Sequence, residues 1–275
     1  MKYYYIDVKI DTPHKASYFI GSTIRGAFGY ALKKITCINP SYKCEGCFSA
    51  NECLYYDFYE KKNSFHNYRI DIELGNGKFD FGLYLFNEAC DNLPYVLSGI
   101  ERLLTKNGIT KNNYTFKDIY IWLNGELIYN SDNFSSIDIS PKEFKVEKYY
   151  KNIKLKLLTP IRIKKNNKFL KDNIELEDIL RSIYQKYQEF KTGKKAFKLD
   201  YTPEYKTILK SLQYKPLLRK SNRQNKRMNM DGIIGEITLI DIDKRTYELL
   251  KLGEIIGVGK QTVMGLGKIK VEEMV

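Results

Sequence analysis

The chain is short of negative charge, of histidine and of long apolar runs. No stretch of eighteen apolar residues occurs, which argues against a membrane-spanning helix. The amino terminus, Met-Lys-Tyr-Tyr-Tyr-Ile-Asp-Val, reads as a strand and not as a leader, so a cytoplasmic protein without a membrane role is expected. Two histidines, His14 and His66, limit the groups that titrate near neutral pH. No Gly-Lys-Ser/Thr follows the glycine spacing of a Walker A loop. Five cysteines in 275 residues are too few for a disulfide scaffold, and a reducing compartment fits them better.

What the chain does have is basic charge, unevenly placed. Residues 1–140 hold 15 Lys and Arg against 16 Asp and Glu, a net of −1, while residues 141–275 hold 31 against 17, a net of +14. Such asymmetry points to a polyanionic partner for the carboxy-terminal half, and without an amphipathic anchor nucleic acid fits better than membrane. The length suits two domains.

Residues 3–10 alternate as a strand, Asp11-Thr12-Pro13-His14 breaks it, and Phe19, Ile24, Phe28, Leu32 and Ile35 recur at helical spacing, predicting a helix over about 17–35. Strands are expected over 68–73 and 78–86, joined as a hairpin around Gly75-Asn76-Gly77, then a helix carrying Leu93 to Leu104. Further strands follow over 117–123 and 126–129. Residues 130–148 read as a solvated connection. The pattern then begins again, with a strand over 153–158, a helix through Leu176 to Phe190, a β-rich run over 233–240, a helix over 244–252 and a closing strand over 267–271. Strand, helix, two strands, helix, strand is the order of a ferredoxin-like fold. The expected class is α+β, two tandem ferredoxin-like βαββαβ domains over 1–140 and 147–275.

Two clusters carry chemistry. Cys37, Cys44, Cys47 and Cys53 lie within seventeen residues and suit a metal knuckle; four thiolates bind structural zinc tetrahedrally, with an iron–sulfur cluster or uncoordinated thiols as the alternatives. Near the end, Gly257, Gly259, Gly265 and Gly267 bracket Lys260, Gln261 and Thr262. Glycine lets backbone approach a phosphate closely, although a turn into an edge strand would use the same residues.

Several strings together resemble a known family: Gly21-Ser-Thr-Ile-Arg-Gly-Ala-Phe-Gly29 followed by the cysteines, Asn222-Arg-Gln-Asn-Lys-Arg-Met228, Gly232-Ile-Ile-Gly235, and Gly253-Glu254 leading into Val258 to Gly267. These look like the CRISPR precursor-RNA processing endoribonucleases of the repeat-associated mysterious protein (RAMP) superfamily. The resemblance implies binding of CRISPR repeat RNA, the precursor crRNA, and one metal-independent cut per repeat. In that cut a 2′-hydroxyl attacks the adjacent phosphate and leaves 2′,3′-cyclic phosphate and 5′-hydroxyl ends. The chemistry needs a base, an acid and a cation. His14 is the first candidate proton carrier and His66 the second, with Lys15 or Lys260 as cation; a tyrosine is a further option for proton transfer. Arg219, Lys220, Arg223, Lys226 and Arg227 are expected to hold RNA, with Arg25 and the loop residues Gly257, Gly259, Lys260, Gln261, Thr262, Gly265 and Gly267 as a second group. Many relatives carry histidine where this chain has Gly257, which keeps a non-catalytic RNA-binding subunit of a CRISPR effector complex as the alternative. A basic metal-knuckle protein of another kind would show no preference for repeat RNA.

Overall fold

A computed structural model describes residues 1–136, 138–221 and 226–274. The chain divides into two compact units, Met1–Glu143 and Phe144–Val275. No helix among the described residues is long and apolar enough to cross a membrane.

The first unit begins with β1 (Lys2–Asp11) and α1 (Gly21–Thr36), continues through β2 (Tyr68–Asp71), β3 (Phe81–Phe86), α2 (Leu93–Arg102) and β4 (Asp118–Leu123), and adds β5 (Glu126–Asn130), β6 (Asn133–Phe134) and β7 (Lys142–Glu143). Its antiparallel sheet runs β2-β3-β1-β4-β5-β6, with β7 also on β1. The first four positions are the ferredoxin-like order. Alternation drives it: Tyr4, Ile6, Val8 and Ile10 of β1 are buried, and Ile24, Phe28 and Leu32 of α1 meet Val96, Leu97 and Ile100 of α2 above them.

The second unit has β8 (Ile153–Ile161), a short hairpin of β9 (Lys164–Lys165) and β10 (Lys168–Phe169), α3 (Leu176–Thr192), β11 (Lys206–Lys215), a second hairpin of β12 (Leu218–Ser221) and β13 (Lys226–Asn229), β14 (Gly232–Ile240), α4 (Lys244–Ile256) and β15 (Ile269–Glu273). Its main sheet runs β11-β14-β8-β15, the same order once more. The two ferredoxin-like folds expected from the sequence are therefore present. Ile179, Leu180 and Ile183 of α3 and Leu249, Leu250 and Leu252 of α4 form the buried helical layer. Asp243 caps α4, its carboxylate accepting from the Thr246 amide at 2.9 Å.

Three local expectations need correction. The first helix starts at Gly21 and not at residue 17, because the preceding backbone bonds elsewhere: the Ala16 amide donates to Gly77 O and the Gly75 amide to Tyr18 O, at 2.8 and 2.9 Å. The same bonds shorten β2 and β3, so Gly75 to Gly77 forms a longer connection docked on residues 16–18 and not a tight hairpin. The stretch 130–148 is no plain connection either, since β6 and β7 add to the first sheet.

Candidate RNA-processing site

His14 follows β1 at the rim of an open cleft of about 390 Å³, lined also by Lys9, Asp11, Thr12, Lys78, Asp80 and Tyr120. The Asp11-Thr12-Pro13 break exposes His14 and Lys15: the His14 amide donates to Thr12 Oγ1 at 3.3 Å, so the chain turns out of the sheet. The imidazole lies against the Tyr114 ring, centroids 4.2 Å apart and planes 18° from parallel. Lys9 is held at 3.2 Å from Asp7 and 3.9 Å from Asp80. The cleft thus gathers an imidazole, two lysines set against two aspartates and an aromatic ring within one unit.

His66 lies elsewhere. It is half-buried, and its Nδ1 donates to the Asp57 carbonyl at 2.9 Å, which leaves Nε2 as the acceptor. Burial holds its pKa below the ordinary histidine value, a direction that the nearby Arg25 reinforces. Arg25 itself donates from Nε to Tyr68 Oη at 3.1 Å and stacks its guanidinium 4.6 Å over the Tyr59 ring, while Tyr59 Oη donates to Arg25 O at 2.8 Å. Gly29 of α1 permits this, since a Cβ there would stand 2.5 Å from the Tyr59 ring. The structure therefore gathers Arg25 and His66 with Tyr59 and Tyr68, a grouping that sequence spacing does not reveal. On the same helix Lys34 lies 5.7 Å from the Tyr30 ring centroid and 5.3 Å from that of Tyr42, both tyrosines exposed.

The four cysteines are all partly exposed and line one small cavity. Lys33 Nζ donates to Cys44 Sγ at 3.4 Å. Hydrogen bonding, first from Ser49, pulls the Cys47 thiol below its ordinary pKa. Four soft donors around one cavity fit a thiophilic ion by type. As they stand, however, no three Cys, His, Asp or Glu side chains among the described residues are grouped to hold a metal ion.

In the second unit the glycine-rich segment joins α4 to β15 and is anchored from three sides. Gly259 (φ +76°) sits where a Cβ would be 2.5 Å from Arg162 O, and Gly267 (φ +76°) where one would be 2.0 Å from Val258 O. Backbone crossing thus demands these glycines. The Lys260 amide donates to Arg162 O at 2.8 Å, the Val258 amide to Gly267 O at 2.8 Å, and the Gly259 amide to Ser182 Oγ at 2.8 Å. Beneath, Lys186 of α3 is only 2 % exposed and donates to Ile256 O, Gly257 O and Thr262 Oγ1 at 2.9, 3.0 and 3.4 Å. A cation placed on the last carbonyls of α4 answers that helix's negative end. Gln261 Oε1 accepts from Arg162 Nε at 2.8 Å and Thr262 is buried, so of the three polar residues between the glycines only Lys260 is exposed. Gly257 and Gly265 are buried at the two ends of this turn.

Of the arginine-rich run, Arg219 and Lys220 lie on β12 and Lys226 and Arg227 on β13, paired in register; Arg223 falls outside the described residues. Arg219 Nη1 approaches Met264 Sδ at 3.1 Å, which ties this hairpin to the glycine segment. Neither hairpin was expected from the sequence.

Tandem ferredoxin-like units, the second closing through a glycine-rich turn, define a RAMP-type architecture, and comparison with known proteins agrees. Residues 1–140 match the family model AF_1859_N, an N-terminal domain, and residues 155–269 match that of the CRISPR-associated endoribonuclease Cas6. The chain belongs to the AF_1859_N family by its first unit, and its second unit is of the Cas6, RAMP type. An uncharacterized protein of Archaeoglobus fulgidus is 25% identical over 92% of this chain and 91% of its own length. Among solved structures, a product complex of the Thermus thermophilus Cas6 covers 98% of this chain and 100% of its own at 14% identity and a TM-score of 0.61. The product of a Cas6-related gene from Pyrococcus furiosus covers 100% and 99% at 14% identity and a TM-score of 0.50. These structures share the fold.

Proposed function

We propose that the protein binds CRISPR repeat RNA and cleaves precursor crRNA once per repeat. The observation that carries this reading is an exposed imidazole in an open cleft lined by lysine and aspartate, in a chain whose other unit matches an endoribonuclease family. In the proposed step His14 removes the proton of the ribose 2′-hydroxyl, whose oxygen bonds to phosphorus as the bond to the 5′-oxygen breaks. Lys15 or Lys9 balances the charge that develops on the phosphate, and the leaving 5′-oxygen takes up a proton. The products carry 2′,3′-cyclic phosphate and 5′-hydroxyl ends. His66 is the weaker candidate, since it is half-buried, one of its ring nitrogens is committed to Asp57 and its ring lies 6.1 Å from that of Tyr68. We expect end-labelled repeat RNA to be cut once in excess EDTA and the 5′ fragment to resist phosphatase until its cyclic phosphate is opened by acid. A 3′-hydroxyl on that fragment overturns the mechanism.

One observation favours the second reading, a crRNA-binding subunit that does not cut: one face of His14 is already occupied by Tyr114. Repeat-selective binding with no cleavage supports it.

The four thiols are proposed to hold zinc, with iron–sulfur as the competing occupant. The cavity they share supports this, and ion binding would draw the sulfurs together as the loop orders. Metal analysis of the purified chain is expected to give one zinc. Cys44→Ser with Cys47→Ser should abolish it and lower the melting temperature of the first unit, leaving cleavage chemistry in the folded fraction. A metal-free wild type defeats the assignment.

A further inference from the structure

Two lysines end α1 side by side and face different surroundings. Lys34 is exposed and lies near the Tyr30 and Tyr42 rings. Lys33 is half-buried and turns to the thiol loop, which it holds twice. Its carbonyl accepts the Cys37 amide at 3.0 Å, closing the helix on the first cysteine. Its Nζ donates to the sulfur of the second, Cys44, at 3.4 Å.

Tyr55 locates the ammonium from another side, its ring centroid 4.8 Å from Nζ. That ring stacks on Tyr59 with centroids 5.0 Å apart and planes 8° from parallel, and Tyr59 Oη is bonded to Arg25 O. The ring beside the ammonium is thus anchored to α1 itself, and Lys33 is fixed between a ring and a sulfur. Ordering a long lysine side chain costs rotamer entropy, and a neutral thiol, a weak acceptor, returns little of it. A sulfur that carries charge, as a metal-bound thiolate does, returns more through a charge-assisted bond.

The charge balance of the loop points the same way. Four thiolates outweigh a divalent ion by two charges, and residues 37–53 add Glu45 and Glu52 against the single Lys43. Partial burial makes such an excess costly unless a cation meets it. Among the described contacts of the four sulfurs, Cys37 Sγ meets Asn39 O at 3.7 Å and Cys47 Sγ meets Ser49 Oγ at 3.5 Å. Both partners are neutral, and Lys33 is the cation.

We propose that Lys33 is the positioning residue of the thiol site, its ammonium offsetting the excess charge of metal-bound sulfur and holding Cys44 against the end of α1. The inference rests on the zinc reading above and adds to it a residue outside the four ligands. Partners of this kind set how tightly a metal is held.

The test is competition for zinc between the loaded full chain and a chromophoric chelator, with the absorption of the cobalt-substituted chain as a second reading. Lys33→Met should lower zinc affinity by about 10–100-fold, the usual loss when a partner of a metal ligand is removed. Lys33→Gln, neutral but polar, should fall in the same direction and carries the comparison if the methionine variant does not fold. Lys33→Arg keeps the charge and should recover most of the affinity. In the cobalt form the sulfur-to-metal charge-transfer band should move to lower energy in the neutral variants, because sulfur without a neighbouring cation gives up an electron more easily. Lys34→Met removes the same charge from the same helix end and should change neither reading. If the neutral variants keep the affinity of the unaltered chain, or if Lys34→Met loses as much as they do, the role of Lys33 is overturned while the zinc reading stands. Weaker zinc with an unmoved cobalt band marks a merely structural lysine and overturns it as well. If the unaltered chain binds neither zinc nor cobalt, both are overturned.

Discussion

Gly267→Ala is expected to lower the stability of the second unit by on the order of 4 kcal/mol, enough to move its melting transition down by roughly 10–20 °C. The added methyl would lie 2.0 Å from Val258 O and 3.0 Å from Val258 N, well inside contact distance and against backbone that cannot rotate away. Positive φ at a non-glycine residue costs about 1–2 kcal/mol by itself. Relieving the overlap would also separate Val258 from Gly267, whose carbonyl accepts the Val258 amide, and disturb the Gly267 amide's bond to Pro160 O. Together these link α4, β8 and β15, so the damage reaches the sheet. Gly26→Ala is the counter-case. Nothing lies within 4 Å of its Cβ position, and in an exposed helical site alanine should be favoured by about 0.5–1 kcal/mol. Thermal unfolding of the two variants beside wild type checks both signs; a Gly267→Ala protein that melts with wild type refutes the backbone crossing.

His14→Ala should slow cleavage of repeat RNA by about 10²–10⁴-fold, the range that a positioned proton carrier supplies. RNA affinity should be kept, because the imidazole contributes at most one contact of the many that a basic second unit can make. Single-turnover rates at saturating protein separate the two effects. His66→Ala is the comparison, and since it removes a ring packed near Tyr68 its effect should appear in stability before rate. Cleavage by His14→Ala at the wild-type rate would remove His14 from the chemistry and shift attention to the exposed Tyr30, Lys34 and Tyr42 group.

Much of the fold was legible because burial on one face leaves a period. In β1 and β8 apolar residues alternate, and in α1, α2, α3 and α4 they recur at helical spacing. The strand β11 was illegible for the opposite reason. Its sequence, Lys-Thr-Ile-Leu-Lys-Ser-Leu-Gln-Tyr-Lys, lies at a sheet edge and is largely exposed, so Ile208 and Leu209 face no core that would impose a pattern. The β9-β10 hairpin escaped because two-residue strands have no period at all; its one readable mark was Asn166-Asn167. At the site, the glycine segment was evident in sequence, but its partners Arg162, Ser182 and Lys186 were not: the Gly259 bond to Ser182 spans 77 residues and the Gly257 bond to Lys186 spans 71. Side chains brought together only by the closed sheet leave no local trace.

The pairing of the central strands also sets the order in which the molecule can form. Lys9 of β1 meets Tyr120 of β4, and Leu155 of β8 meets Val271 of β15, so each sheet is closed by contacts between the distant ends of its own unit. Helices and the turn at Asn124-Gly125 can appear early, whereas these ladders must wait for a long loop to close. The clash-sensitive glycine turn immediately precedes β15 and takes its shape only when that last ladder zips. Substitutions there are thus expected to leave the folding rate nearly unchanged and to act on unfolding, as a late-forming contact does.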